Sequence, residues 1–237
     1  MNGQFEFKSE NRANNRIYRR KLFFRSILSL PKTVYFNFRV FPFRTAIRLP
    51  VLISYDTKLI ELHKYAMKFN CVPYTFIVKI GFGGSDGIVP RKGSLCLETG
   101  CITFDGKATF AQGISIRNSG KMNVGDDYFA NRNCTIWCSE EITFGNHVLL
   151  GWNITFRDSD GHMILKNGVG NEIKKSISIG KHSWICSESH VLKGARMGAD
   201  SVLAYNSVLL KPYEQNNVLL AGQPAKIIEE KINWERG

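Results

Sequence analysis

The sequence predicts an all-β fold, a parallel β-helix, and three observations support this prediction. Large apolar residues recur every six positions towards the C-terminal end. A small residue follows most of them at a fixed offset of four, and upstream the spacing becomes six, six and eight. Neither a helix nor an ordinary strand has that period, whereas one flat side of a short-repeat β-helix does. The large set is Ile179, Ile185, Val191, Met197, Leu203 and Leu209, and the small set is Ser183, Ser189, Ala195, Ser201 and Ser207.

The first 50 residues are predicted to form a basic cap, helical to about Leu30 and extended beyond it. They hold eleven Lys and Arg against two Glu, which gives +9 of the total charge of +12. The segment "RIYRRKLFFRSILSL" indicates a basic amphipathic helix, and such a helix can cover the open edge of a first coil. A second role that the sequence allows for this helix is peripheral membrane contact through residues 16–30. Nucleic acid is not an expected partner, because no nucleic-acid-binding motif accompanies the charge.

Residues 51–212 are predicted to form the β-helix, with irregular coils over 51–101 and regular coils over 102–212. The regular part begins with a repeat of six, six and eight that is interrupted once, between Phe156 and Ile179. The apolar positions before the interruption are Phe104, Phe110, Ile116, Val124, Ala130, Ile136, Phe144, Leu150 and Phe156. Residues 213–237 are predicted to be a C-terminal extension that ends in a short helix.

The interruption predicts a long loop over residues 157–178, which contains "RDSDGHMI". Loops of more than about 12–15 residues are uncommon in compact domains and are often functional. Because side chains fill the axis of a β-helix, its chemistry must take place on the outside. The loop and its His162 are therefore the first candidates for a functional site.

The composition favours a cytoplasmic protein, either free or at the inner face of the membrane. No uncharged apolar run reaches the roughly 18–20 residues that cross a bilayer, and the polar start lacks the apolar core of a signal peptide. The six cysteines show no C-x-x-C pair, which indicates reduced thiols. No metal site is expected, because the histidines lack the spacing of a zinc enzyme of the γ-carbonic anhydrase type.

Four ordered blocks resemble the hexapeptide-repeat acyltransferases, in the branch of the sugar O-acetyltransferases. The blocks are "YFANRNCTI", "FGNHVLLGWNITFRDSDGH", "ISIGKHSWICSESHVLKGARMGADSVLAYNSVLLKP" and "LLAGQPAKII". The stretch "LPKTVYFNFRVFPFRTAIRLP" is similar to acetyltransferases of bacterial capsule or exopolysaccharide loci. The resemblance implies a left-handed β-helix, a homotrimer with active sites between subunits, and acetyl-CoA as co-substrate.

The resemblance also implies roles for individual residues. His162 matches the family's catalytic base, and neutral imidazole suits that task near neutral pH. Either Asp158 or Asp160 is expected to orient it, with Asp160 taken as the candidate, unless both only form turns beside Gly161. Asn131 matches an active-site Asn that binds the acceptor or the reacting groups.

Coenzyme A is expected in a groove between subunits. By the same resemblance, the residues that line it are Trp184, Cys186, Ser187, Tyr205, Leu210, Lys211 and Lys226. Lys211 and Lys226 are candidates for its phosphates, and Trp184 is a candidate for its pantetheine arm. Cys138 and Ser139 stand where the galactoside enzymes carry acidic acceptor-binding residues, which disfavours a free galactoside as acceptor.

The predicted function is an acetyl-CoA-dependent O-acetyltransferase that acts on a sugar hydroxyl of a surface polysaccharide or its precursor. Two alternatives stay open. One is an acetyltransferase of antibiotics or other xenobiotics, and the other is a non-catalytic, membrane-associated β-helix scaffold.

Overall fold

The computed structural model describes the backbone of residues 3–236 and the side chains of residues 20–236. Within these residues, helices α1 (Gly3–Val40) and α2 (Phe43–Ala46) precede the strands. The strands are β1 Val51–Ile53, β2 Lys58–Ile60, β3 Met67–Phe69, β4 Val78–Ile80, β5 Ser94–Cys96, β6 Cys101–Phe104, β7 Ala108–Phe110, β8 Ser115–Asn118, β9 Lys121–Val124, β10 Tyr128–Ala130, β11 Thr135–Cys138, β12 Glu141–Phe144, β13 Leu149–Leu150, β14 Thr155–Arg157, β15 Leu165–Lys166, β16 Val169–Gly170, β17 Ile177–Ile179, β18 Trp184–Ile185, β19 His190–Leu192, β20 Arg196–Met197, β21 Val202–Leu203, β22 Val208–Leu209, β23 Pro212–Tyr213, β24 Val218–Gly222 and β25 Ala225–Glu230.

The strands stack into three sheets, which are the three sides of a β-helix. Sheet A has the order β1-β4-β7-β10-β13-β18-β21-β24-β25, and sheet B has the order β2-β5-β8-β11-β14-β19-β22. Sheet C has the order β3-β6-β9-β12-β17-β20-β23. In the regular coils, every third strand along the chain therefore belongs to the same sheet. The three corners are named here by the sheets they join: A–B, B–C and C–A.

The register shows how the length of a coil changes along the chain. Ala108 pairs with Tyr128 in an earlier coil, and Trp184 pairs with Val202 in a later one. The later coil is shorter, because it consists of three hexapeptides without extra corner residues. Between them, Leu149 pairs with Trp184 across a much longer interval, since one corner carries the long loop. This explains why the repeat is uninterrupted only after Ile177.

The coils between residues 51 and 101 join the same sheets in register but have longer corners. Val51 pairs with Val78 and Val78 with Ala108, so both coils are longer than the coil from Ala108 to Tyr128. Much of the extra length lies in residues 81–93, a loop at the A–B corner. Gly81 begins it with a φ of +84°, and a Cβ there would lie 2.6 Å from the Cβ of Ser54. The residues added at the corners hide the period of six from the sequence.

Burial confirms the repeat. All six large residues after Ile177 are at most 3% exposed, and the five small residues that follow them are fully buried. Upstream, aromatic rings continue the core along the axis, with successive centroids 4.9–6.3 Å apart. These rings belong to Phe41, Phe69, Phe104, Phe110, Tyr128, Phe144 and Phe156. Side chains thus fill the axis, which leaves the outside for chemistry.

Helix α1 covers the open edge of sheet A with side-chain hydrogen bonds. Asn37 donates to the Val51 carbonyl (2.7 Å) and accepts from the Val51 amide (3.2 Å). Thr33 accepts from the Ile53 amide (3.1 Å), and the Ser29 hydroxyl accepts from the amide of Tyr55 (3.0 Å). The three polar residues are four apart, so they share one face of the helix. They supply the partners that a missing strand would have provided.

The expected end of the helix near Leu30 is wrong, since α1 continues through Pro31 to Val40. Proline removes one backbone hydrogen bond, but Pro31 is exposed, so water can reach the carbonyl that loses its donor. The contacts of Thr33 and Asn37 with β1 hold the helix beyond it. Tertiary contacts here outweigh a local helix breaker.

The expected C-terminal helix is also wrong. "AKIIEE" forms β25, which pairs antiparallel with β24 after a turn at Gly222, Gln223 and Pro224. Its residues have adequate helix propensity, but the unpaired edge of β24 offers a full set of backbone partners. The chain therefore closes this end of the β-helix with a strand.

The six cysteines are all free in the structure. Among the described residues, no helix combines the length and the apolar character that crossing a membrane requires.

Candidate functional site

The long loop lies at the B–C corner between β14 and β17, and it is called here the His162 loop (residues 158–176). Asp158 fixes its base. This side chain is fully buried, and its two oxygens accept from the backbone amides of Ser139 (2.7 Å) and Glu140 (2.8 Å). The Lys175 amide donates to the Asp158 carbonyl (2.9 Å), and this hydrogen bond joins the two ends of the loop. Asp158 is therefore an anchor of the loop, and its carboxylate is already occupied.

Beyond this base the loop projects from the coil as a short hairpin. β15 and β16 pair antiparallel around Asn167 and Gly168, both of which have positive φ, as a type I′ turn requires. His162 precedes the hairpin and is exposed. Four apolar side chains of the hairpin region are 57–72% exposed, namely Met163, Ile164, Leu165 and Val169. The loop thus carries an imidazole beside an apolar tip that its own protomer does not cover.

Asp160 contacts other parts of the chain rather than His162. Its Oδ2 lies 2.5 Å from the Lys193 ammonium and accepts from the Asn171 amide (3.0 Å). The hydrogen bond from Lys193, assisted by the one from Asn171, holds the pKa of Asp160 below its usual value. Because Lys193 follows the next strand of sheet B, this pair ties the loop to the neighbouring coil. Among the described residues, no hydrogen bond joins Asp160 to His162.

A column of outward-facing side chains lies on sheet B beside the His162 loop. Arg117, Trp137 and Arg157 are register partners on adjacent strands, and all three are exposed. The Arg157 guanidinium lies 4.8 Å from the centroid of the Trp137 ring, and Arg117 pairs with Glu98. A cleft of about 190 Å³ adjoins the column. Its lining residues are Glu98, Arg117, Ser119, Trp137, Ser139, Arg157, Ser159 and Gly161.

This cleft has the chemistry of a small polar binding site. An indole, serine hydroxyls and two guanidinium groups can contact a sugar ring, its hydroxyls and an acidic substituent. Sequence reasoning missed the cleft, although the equal spacing of Arg117, Trp137 and Arg157 along the chain was a usable signal. One coil separates each of them from the next, so the three residues had to stack.

Asn131 lies at the A–B corner, where it binds the loop of residues 81–93. Its Oδ1 accepts from the amides of Ser85 (2.9 Å) and Arg132 (2.8 Å), and its Nδ2 donates to the Ser85 hydroxyl (2.8 Å). Arg132 donates to the carbonyl of Ile88 (2.7 Å) and pairs with Asp86 (3.2 Å). In this protomer, Asn131 therefore anchors a loop.

Asn133 completes this clamp. Its Oδ1 accepts from the Arg91 amide (2.8 Å), and its Nδ2 donates to the Val89 carbonyl (3.0 Å). Three consecutive polar residues of "ANRN" thus hold one loop. Polar residues in an otherwise regular repeat were the available signal, but nothing in the sequence identified their partner.

Four of the seven residues expected to bind coenzyme A lie on or next to sheet A, at the A–B side. Trp184 is exposed on β18, and Tyr205 is exposed at the corner after β21. Cys186 and Ser187 follow β18, where the Ser187 hydroxyl accepts from the Trp152 amide (3.1 Å). Burial raises the pKa of the Cys186 thiol to about 11. Cys186 is therefore a neutral thiol near pH 7 and a poor nucleophile.

The C-terminal segment packs against Trp184. The Trp234 ring lies 5.8 Å from that of Trp184 and stacks on His182 at 4.5 Å, and its indole donates to the His182 carbonyl (2.8 Å). Sequence reasoning missed this arrangement, because it expected a helix there. Trp184 still has 37% of its surface exposed.

The other three expected residues lie elsewhere. Leu210 and Lys211 are exposed at the B–C corner after β22, on the same corner as the His162 loop. Lys226 is exposed on β25, at the edge of sheet A. Within one protomer, the expected site residues thus form one group at the B–C corner and another along sheet A and the A–B corner.

The potential metal ligands that cluster in the described part of the chain are Glu61, Cys96 and Glu98, within 4.8 Å of one another. The group contains no histidine, and Glu98 is engaged by Arg117. His147 and His182 instead contact Asp127 (3.5 Å) and Asp200 (3.0 Å), respectively.

Comparison with known proteins points to one family. The chain is 31% identical over 112 residues to the galactoside O-acetyltransferase of Escherichia coli, and the match covers 46% of this chain and 54% of that protein. It is 25% identical over 122 residues to an uncharacterized 24.8 kDa protein in the cps region of Klebsiella pneumoniae, covering 52% of this chain and 54% of that one. Over about half of its length, the chain is thus similar in sequence to galactoside O-acetyltransferases. It spans about half the length of the curated relatives it matches.

The fold agrees with this relationship. The structure of the polySia-specific acetyltransferase NeuO superposes on this one with a TM-score of 0.50 at 19% identity, and the superposition covers 79% of each chain. The predicted left-handed parallel β-helix of hexapeptide coils is thereby confirmed, apart from its C-terminal helix. No family model matches the chain.

Proposed function

We propose that the protein is an acetyl-CoA-dependent O-acetyltransferase that modifies a sugar hydroxyl of a surface polysaccharide or its precursor. The observation that carries the proposal is the position of His162. It is an exposed imidazole on a loop whose base is fixed by Asp158, beside a cleft with an indole and two guanidinium groups. The relationship to sugar O-acetyltransferases supports the same reaction.

In the proposed mechanism, His162 acts as a general base. Its neutral imidazole removes the proton of the sugar hydroxyl while the oxygen attacks the thioester carbonyl of acetyl-CoA. The tetrahedral intermediate then collapses, the carbon–sulfur bond breaks, and the imidazolium returns the proton to the CoA thiolate. No acyl-enzyme is needed, which agrees with the raised pKa of the Cys186 thiol. Asp160 acts as a positioning residue, because it ties the loop to Lys193.

The active site is proposed to lie between subunits of a homotrimer. The site residues divide between two corners of one protomer, and a neighbouring copy can bring a B–C corner to an A–B corner. The exposed apolar tip of the His162 loop supports this arrangement, because burial of each such side chain contributes about 1.5–3 kcal/mol. Asn131 would then face the acceptor from the subunit opposite His162.

Coenzyme A is proposed to lie in the same groove. Lys211 and Lys226 are exposed cations that can bind its phosphates, and the free part of Trp184 can pack on the pantetheine arm. Tyr205, Leu210 and the backbone at Cys186 and Ser187 would complete the walls of the groove. Acetyl-CoA is thus the expected donor.

The acceptor is proposed to be an acidic glycan. The Arg157 guanidinium lies over the Trp137 ring and lines the cleft beside the loop. Guanidinium groups bind carboxylates with two parallel hydrogen bonds, whereas a neutral galactoside has no group of that kind. The serine hydroxyls of the cleft would bind the ring hydroxyls.

Release of CoA with a panel of acidic and neutral oligosaccharides tests the proposal. We expect turnover with acidic acceptors, and we expect His162→Ala to lower kcat by about 10²–10⁴, the usual contribution of a general base. His190→Ala is the matched control, since His190 is exposed on β19 outside the site. Undiminished turnover in the His162 variant would refute the mechanism, and turnover only with small antibiotic acceptors would refute the substrate class.

A further inference from the structure

Helix α1 turns its apolar side away from the protein. Its buried face carries Ser29, Thr33 and Asn37, which bind the edge of sheet A, together with Phe36 and Val40. With about 100° per residue, the opposite face is that of Phe24, Ile27, Pro31, Val34 and Phe38. An amphipathic helix of a globular protein normally buries its apolar stripe. Among residues 20–236, no side chain covers this apolar stripe.

The exposed apolar surface is extensive and continuous. Ten large apolar side chains between residues 23 and 47 are 39–69% exposed. It extends from α1 into α2, because the rings of Phe38 and Phe43 meet edge to face at 6.0 Å. We name this set the α1 face: Phe23, Phe24, Ile27, Leu28, Leu30, Val34, Tyr35, Phe38, Phe43 and Ile47. A surface patch of this kind marks an interaction site.

The charge around the α1 face distinguishes between possible partners. Residues 11–55 contain ten Lys and Arg and no Asp or Glu. Arg25 is paired with Asp56, and Lys32 donates to the carbonyls of Tyr55 and Thr57, whereas Lys21 and Arg39 are exposed beside the apolar stripe. Two copies of this face would repel each other, since each brings the same positive charge. An apolar surface bordered by cations is complementary to an anionic interface with an apolar interior.

A cavity at the N-terminal end of the α1 face repeats this chemistry. It has a volume of about 720 Å³ and lies between α1 and the loop of residues 81–93. Arg20 and Lys21 line it together with Phe24 and Leu28, while Arg132 on its other side is paired with Asp86. Basic and apolar groups therefore meet in one concave site, as a phospholipid headgroup and its upper acyl chain require.

We infer that the α1 face docks the protein on a membrane surface that contains anionic phospholipid. The apolar side chains enter the boundary between headgroups and acyl chains, and the surrounding Lys and Arg bind the negative surface. Helix α1 lies in the plane of the interface, since its polar stripe is held by sheet A. The expectation of membrane contact through residues 16–30 is thus extended to α2, while the side chains of residues 16–19 lie outside the described residues.

Co-sedimentation with vesicles tests the inference, using phosphatidylglycerol mixed with phosphatidylcholine against phosphatidylcholine alone. We expect the full chain to bind the anionic vesicles, with weaker binding at high salt. The face variant Phe23→Ser, Ile27→Ser, Val34→Ser, Phe38→Ser should bind at least about 100-fold more weakly, because each side chain loses apolar burial. The charge variant Lys21→Gln, Arg39→Gln, Arg44→Gln, Arg48→Gln should lose about as much on anionic vesicles.

Matched controls separate docking from general effects. The variant Lys58→Gln, Lys79→Gln, Lys121→Gln, Lys181→Gln removes four exposed charges elsewhere and should bind nearly as well as the unaltered chain. All the substituted side chains of the face variant are exposed, so we expect it to fold, and circular dichroism checks this for each variant. The inference would be overturned if the unaltered chain did not bind anionic vesicles, or if the face variant bound them equally well. It would also be overturned if the face variant lost oligomeric mass in light scattering, because the face would then be an interface between copies.

Discussion

Two loops leave the β-helix at different corners, and they are stabilised in opposite ways. The loop of residues 81–93 leaves the A–B corner and is bound by three consecutive side chains, Asn131, Arg132 and Asn133. The His162 loop leaves the B–C corner, and its hydrogen bonds to the rest of the protein lie at its two ends, through Asp158, through Lys174 and Lys175, and through Lys193, which contacts Asp160 and the Glu172 carbonyl. The first loop lies against the protein, whereas the second projects from it.

The difference shows which loop is complete within one protomer. Hydrogen bonds from buried side chains fix the loop of residues 81–93, so it needs no further partner. The His162 loop has a rigid base and an apolar tip, and a tip of that composition is stable only when another surface covers it. If the comparison is right, damage to the first loop lowers the stability of the monomer, while damage to the second lowers assembly and activity.

The largest effect is expected from the tip of the His162 loop. The variant Met163→Ser, Ile164→Ser, Leu165→Ser, Val169→Ser removes four side chains, each worth about 1.5–3 kcal/mol when buried. We expect the proposed trimer to dissociate in light scattering and CoA release to fall at least about 100-fold, because the proposed site is built from two subunits. The thermal unfolding of the monomer should change little, since these side chains are 57–72% exposed.

A second variant with exposed apolar residues at the C–A corner provides the control. Val72→Ser, Tyr74→Ser removes side chains that are 59–79% exposed and lie outside both corners of the proposed interface, so it should assemble and turn over as the unaltered chain does. The comparison of the two loops would fail if the loop-tip variant assembled normally, or if the unaltered chain were a monomer.

The sequence predicted the wall of the β-helix because the wall is repetitive. One residue in six points to the axis, and Ile185, Val191 and Leu203 are fully buried as the spacing required. The His162 loop was predicted as well, since a gap in a strict repeat can only be an insertion. These features depend on period and spacing, which are local properties of the chain.

The features that sequence reasoning missed depend on contacts between distant residues. Pro31 suggested a helix end, but the hydrogen bonds of Asn37 to β1 hold the helix past it. "AKIIEE" suggested a helix, but the open edge of β24 recruits it as a strand. The partners of Asn131 and Asp160 were likewise not visible, because each lies on another coil or loop. Period predicts which residues are buried, whereas only coordinates tell which polar group meets which.

An intermediate effect is expected when the clamp on the loop of residues 81–93 is opened. Asn133→Ala removes the acceptor of the Arg91 amide and the donor to the Val89 carbonyl, at a position with a φ of +63°. The lost hydrogen bonds and the cost of left-handed backbone for Ala together lower the unfolding free energy by on the order of 3 kcal/mol. Urea unfolding measures this loss, and proteolysis within residues 81–93 should become faster.

Asn153→Ala separates the two causes, because Asn153 has a similar φ of +56° but its side chain donates to Glu188 in the next coil, and its backbone hydrogen bond to Arg132 is kept in the variant. We expect it to lose less stability and to leave the proteolysis of residues 81–93 unchanged. Equal losses in both variants would mean that backbone strain alone is responsible and that the clamp contributes nothing.

The smallest effect is expected from the pair of Asp160 and Lys193, and it should depend on pH. The hydrogen bond from Lys193 keeps the pKa of Asp160 below its usual value, so this carboxylate stabilises the folded loop above about pH 4 and loses that contribution as the pH falls through the lowered pKa. Asp160→Asn should therefore cost about 0.2–1 kcal/mol at pH 7, the usual range of an exposed ion pair, and nothing in strong acid. Hydrogen exchange of the amides in residues 158–176 measures the difference, and Lys193→Gln should lose at least as much, because Lys193 also donates to the Glu172 carbonyl. If exchange at pH 7 is unchanged in both variants, the Lys193 side chain has no energetic role, and the loop is held by Asp158 and by the hydrogen bonds of Lys174 and Lys175.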